Sequence, residues 1–162
     1  MVNHITDLKL LYEEDYFLWL EETIELLNNR QLENLDYENL IEELEALGRS
    51  EKSAVESFVI LIIQHLLLYQ YWSEERANNS RHWRGEILTF RTQLEFKLTT
   101  NIPPLVRGVR GDCSSLRNNL AERLDYLYGK ARKIAQVKSE LQLPEINPYS
   151  LEKILDEDWL PE

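Results

Sequence analysis

A single cysteine, Cys113, leaves this chain no intramolecular disulfide, and without a CxxC it offers no thiolate metal site. Such usage fits a reducing cytoplasm. Glycine and proline are scarce too, at five each in 162 residues. An all-β fold needs many turns, so this scarcity argues against one and favours long helices. No uninterrupted apolar run approaches the ~20 residues of a membrane span. The most apolar stretch, FVILIIQHLLLYQYW, is broken at Gln64 and His65, so it reads as a core helix and no membrane association is expected. The opening MVNHITDLKLLYEEDYF has no basic segment leading into an apolar one, so no signal peptide is expected. Catalytic signatures are missing: there is no His-Glu-x-x-His, no phosphate-cradling glycine loop and no serine nucleophile elbow. These gaps point away from an enzyme. Repeats and low-complexity segments are absent as well.

Basic side chains are outnumbered, 18 against 29 acidic, for a net charge of −11. Taken whole, that disfavours nucleic acid and anionic membranes as partners. The distribution is uneven. Residues 1–60 hold four basic and fifteen acidic side chains, 76–138 hold thirteen and five, and 139–162 hold one and seven. Acidic helices lying beside basic ones would satisfy this pattern. So would a basic face for an anionic partner.

What is present is apolar content of 43%, enough to build a core over this length without disulfides or metal. A single domain over 1–162 is expected. Tyr16, Leu20, Ile24 and Leu27 recur at helical spacing and predict a first helix over about 13–28. Asp36 is a good N-cap for a second, whose apolar stripe is Leu40, Ile41, Leu44 and Leu47. Gly48 should end or bend it, and Ser50 should cap a third helix reaching about Trp72. On that helix Ser53, Ser57, Gln64 and Tyr71 share a line that reads as the wetter side. SEERANNS reads as a polar connection. Trp83, Ile87, Phe90, Leu94 and Leu98 then mark a fourth helix capped at Asn79 or Ser80. Residues 101–114, with two prolines and two glycines, read as a loop, and a fifth helix follows over about 115–141. The tail, 144–162, is too apolar to hang free and should dock, with Ser150 capping a short helical turn. The fold class is therefore all-α, an antiparallel bundle of about five helices with a short docked C-terminal helical tail.

Several stretches together, YEEDYFLWLEETIELL, LENLDYENLIEELEALGRSEKSAV, LIIQHLLLYQYW, SRHWRGEI and YSLEKILDEDWLP, resemble the bacterial family called "domain of unknown function 29", abundant in cyanobacteria. The strongest pieces are NLIEELEALGRSE and LDEDWLP, and the resemblance covers nearly the whole chain. Two departures stand out: the loop NIPPLVRGVRGDCSS is longer and more basic than the family pattern, and His82 replaces a small polar residue. The resemblance implies a small helical cytoplasmic protein and no particular activity.

The residues themselves leave three readings. The first is a non-enzymatic interaction module, a homo-oligomer or an accessory subunit of another protein. Its candidate docking residues are Arg49 after Gly48, Arg81 and Trp83 near a helix start, and Trp159 and Leu160 in the tail. The second is a helical protein holding a divalent metal. His65 lies among Leu61, Ile62, Leu68 and Tyr69, where desolvation keeps the ring neutral and able to ligate. Glu43 borders the stripe of the preceding helix, and His82 would complete the set. The Glu-x-x-His pairs of di-metal bundles are absent. Third comes nucleic-acid association through the basic stretch 76–138, with Arg107 and Arg110 in the loop.

Overall fold

The computed structural model describes residues 8–100 and 114–162. The expected loop at 101–114 lies outside the described residues except for Ser114, and Arg107, Arg110 and Cys113 lie outside them too. The described chain is all-α. Its helices are α1 (Leu8–Glu14), α2 (Tyr16–Asn28), α3 (Tyr37–Tyr71), α4 (Ser73–Thr100), α5 (Ser114–Ser139) and α6 (Leu151–Leu155), with a short 3-10 turn at Leu32–Asn34. No strand occurs among the described residues. Two compact units emerge, residues 1–51 and 52–162, and α3 contributes to both.

The first unit is built by its caps. Asp15 separates α1 from α2, and its carboxylate accepts from the Leu18 amide at 3.1 Å. The sequence pattern begins at about residue 13, so it misses α1. Helix α2 closes on Arg30, whose φ of 56° is left-handed. The Gln31 amide donates to the Leu26 carbonyl and the Arg30 amide to that of Leu27, the paired bonds of a Schellman stop. Asp36, itself buried, opens α3 by accepting from the amide and side chain of Asn39. Leu8, Leu11 and Trp19 form the small core, with Tyr12, Leu26 and Leu40 packed against it.

Gly48 does not break α3, which runs unbroken for 35 residues. An isolated glycine weakens a helix by only about 1 kcal/mol, and the residues on both sides are good helix formers. Ser50 is accordingly an interior position rather than a cap.

In the second unit the middle of α3 is buried on every side. Residues 62–68 are all buried, so Gln64 is core at 2% exposure, not part of a wetter face. A helix surrounded by neighbours has no solvent side, and its periodicity then carries no direction. By composition α3 is long and apolar enough to cross a membrane, with half of that window buried inside the protein. Val59, Ile63 and Leu66 join Ile87, Leu94, Leu120 and Leu127 of α4 and α5 in one cluster. Truncating a fully buried leucine such as Leu66 to alanine should cost about 2–5 kcal/mol.

One non-helical residue, Trp72, joins α3 to α4. Its amide donates to Leu68 and its carbonyl accepts from Arg76, so both helices keep their ladders through the corner. The indole stacks on Trp83 with centroids 5.9 Å apart. SEERANNS is therefore the first two turns of α4 and not a connection; Glu74 and Glu75 suit the positive end of a helix.

The tail follows α5 across residues 140–150. Tyr128 donates its hydroxyl to the Pro144 carbonyl at 2.6 Å, and Tyr149 donates to Gln70 Oε1 at 2.8 Å. Burial pushes both phenols above their ordinary pKa. Ser150 caps α6, accepting from the Lys153 amide.

Candidate functional site

His65 is buried, with its ring 5.6 Å from that of Phe90. Nδ1 lies 2.7 Å from the Leu61 carbonyl one turn back. A carbonyl can only accept, so Nδ1 carries the hydrogen, and Nε2 is the atom left to take a proton or a metal. Burial lowers the ring's pKa, opposed by the hydrogen bond to Leu61. Among the described residues, no three His, Cys, Asp or Glu side chains gather as a metal cage. Glu43 belongs to the first unit, whereas His65 and the exposed His82 belong to the second.

Glu43 has a different occupation. Its carboxylate accepts from Tyr12 at 2.7 Å and from Tyr16 at 3.1 Å, tying α1 and α2 to α3. That bond pushes the Tyr12 phenol up to about 12, because ionising it would set two anions side by side. Tyr16 is raised for the same reason. The tyrosines flank Trp19, one edge-on and one stacked.

The tail is held by a residue that the apolar pattern hides. Arg91 is 2% exposed and donates to three backbone carbonyls: Nε to Ile154 at 2.8 Å, Nη1 to Trp159 at 2.7 Å and Nη2 to Lys153 at 2.9 Å. Two of these lie in α6, whose last carbonyls have no helical partner of their own. Burial draws the guanidinium down to about 10, opposed by Asp156 and Glu157. The signal was in the spacing: Arg91 stands four residues after Ile87 and three before Leu94, a cation on the buried line of α4.

Beside this clamp lies a cleft of about 580 Å³ between α4 and the tail. Arg81, Arg84 and Leu88 line it from α4, and Glu157, Asp158 and Leu160 from the tail. It brings together two of the docking candidates, Arg81 and Leu160. Trp83 is buried, and Trp159 is half-buried, edge-on to Tyr149 at 5.9 Å. Arg49 is exposed and pairs with Glu45 one turn back at 3.3 Å.

The other notable surface is in the first unit. The two stripes that periodicity assigns to a core are mostly uncovered. On α2, Tyr16, Leu20, Ile24 and Leu27 are exposed; on α3, Ile41, Leu44 and Leu47 are 54%, 59% and 60% exposed, and Tyr37 beside them 51%. The unit packs instead through Trp19 and Leu26 on another side of α2 and, on α3, through Glu43 and through Leu40, the one residue of the stripe that meets the small core. Large apolar groups gathered in the open mark interaction surfaces.

A family model described as "Domain of unknown function DUF29" matches residues 11–160, nearly the whole chain. No curated protein and no solved structure matches it.

Proposed function

Since the chain belongs to the DUF29 family, whose description names no activity, we propose that it is a non-enzymatic interaction module of the cytoplasm that works by binding protein through its first unit. The observation that carries this reading is the exposed α3 stripe: Ile41, Leu44 and Leu47, each more than half accessible, on a helix with regular apolar spacing. Regular spacing is how a helix presents anchors to a protein groove or to another helix. The single cysteine supports the compartment.

The test is stability at high dilution, where chains are single. Ile41→Ser combined with Leu44→Ser should shift the thermal midpoint of the helical circular dichroism by no more than about 2 °C, since exposed positions contribute little to folding. A fall of more than about 10 °C would mean the stripe is core in the lone chain. The interaction reading would then be lost.

A further inference from the structure

The cleft beside the Arg91 clamp lies within the second unit, and its charge is divided along its length. Arg81, Arg84, Leu88 and Arg91 follow at steps of three, four and three, so they share one line of α4, and all four line the cleft. Arg81 and Arg84, one turn apart, make one end basic. Glu157 and Asp158 line the cleft from the tail. Glu157 lies towards the Arg91 end: it accepts from the Thr92 hydroxyl at 3.0 Å, and its charge acts on the Arg91 guanidinium. Arg81, Arg84, Glu157 and Asp158 are exposed, and among the described residues none of them is in an ion pair.

Arg91 adds an independent sign of a ligand. A guanidinium carries five N–H hydrogens, and the bonds to Ile154, Trp159 and Lys153 take three of them. Two remain on a cleft-lining side chain that is 2% exposed, and buried donors call for acceptors. Leu88, 49% exposed, and the half-buried Leu160 give the cleft an apolar surface. A plain anion would suit the arginines but be repelled by the carboxylates, and a plain cation would meet the reverse. A molecule with both charges satisfies both ends. At about 1.5 Å of rise per residue, Arg84 and Arg91 stand about 10 Å apart along α4, the reach of about three extended residues. The volume of about 580 Å³ falls within the roughly 300–1,000 Å³ of small-ligand sites.

We propose that this cleft binds a short apolar peptide with free ends, about three residues long. Its carboxylate meets Arg81 and Arg84, and its ammonium meets Glu157 and Asp158. Its side chains cover Leu88 and Leu160, and a backbone carbonyl takes the spare hydrogens of Arg91. The cleft belongs to the second unit, so this reading does not depend on the α3 stripe of the first.

Capped peptides test it. Titrating the full chain at low salt with the tripeptide Ala-Leu-Ala should shift the amide resonances of Gly85, Leu88 and Asp158, with a Kd of about 1 mM or tighter. Acetylating the peptide's N-terminus or amidating its C-terminus should each weaken binding about tenfold or more, because charged groups of the cleft then lose their partner. Arg81→Gln with Arg84→Gln should make the free and amidated peptides bind alike. Glu157→Gln with Asp158→Asn should do the same for the free and acetylated ones. All four positions are exposed, so these variants should keep the fold. No shift at about 10 mM peptide overturns the proposal. So do capped peptides that bind as well as the free one. L-leucine binding as tightly as the tripeptide would overturn it too, since a single residue cannot span both ends of the cleft.

Discussion

Arg91 Nε donates to the Ile154 carbonyl across 63 positions of sequence, at 2.8 Å. With the bonds to Lys153 and Trp159, it makes one side chain the anchor of the C-terminal segment. A lysine has one ammonium and cannot reach three carbonyls in a planar fork. Arg91→Lys should therefore destabilise the protein by about 2–4 kcal/mol, as buried acceptors lose charged donors. Urea unfolding would measure this, and limited proteolysis should show the tail cut first. A loss below about 0.5 kcal/mol would show that the three bonds add little.

Glu43 predicts an alkaline signature. Its hydrogen bond raises the folded pKa of Tyr12 to about 12 from an ordinary 10.0. Stability from this bond is fully present below pH 10, where the phenol is neutral folded or unfolded. It is lost as pH rises through about 12, where the folded phenol ionises. Ultraviolet titration of the folded protein should show tyrosines ionising late. In Glu43→Gln two of them, Tyr12 and Tyr16, should return towards the ordinary value. An unchanged titration curve would mean that the carboxylate holds neither phenol.

His65 predicts the acid limb. Its folded pKa is lowered from 6.5, so the unfolded chain takes the proton first. Stability from the neutral ring is present above about pH 6.5 and is lost as pH falls through the lower folded value. The charged groups acting on it are Lys138, Glu86 and His82. His65→Gln should flatten the fall in thermal midpoint between pH 7 and pH 5. An equally steep fall in the variant would assign the acid limb to other groups.

The α2 stop predicts a gain. Arg30 holds a left-handed φ of 56°, where a side chain costs roughly 1 kcal/mol. Arg30→Gly should raise stability by about 0.5–1 kcal/mol, less what glycine adds to the freedom of the unfolded chain. A denaturant midpoint that falls would show that the arginine side chain contributes more than its backbone strain removes.

Composition and periodicity were enough for the helical class, the Asp36 and Ser150 caps and the buried line of α4. Burial direction was harder to read. Period alone says which residues share a face, not which face a neighbour covers. Thus Ile41 and Leu44 look like core and are exposed, while Gln64 looks wet and is buried. Breaks were misjudged for a local reason: Gly48 sits where neighbouring turns sustain the helix, and Trp72 turns a corner with no glycine or proline to announce it. Arg91 was overlooked because a cation among leucines reads as surface until backbone carbonyls are found around it.

The stacked pair of Trp72 and Trp83 also makes the molecule its own optical gauge. Two indoles with centroids 5.9 Å apart and planes 21° apart couple electronically, and that coupling vanishes when the α3–α4 corner opens. The remaining two tryptophans sit elsewhere, Trp19 fully buried in the first unit and Trp159 in the tail. Replacing them one at a time with phenylalanine would give separate light signals for the first unit, the corner and the tail. The order in which these parts come apart could then be followed without attaching a dye.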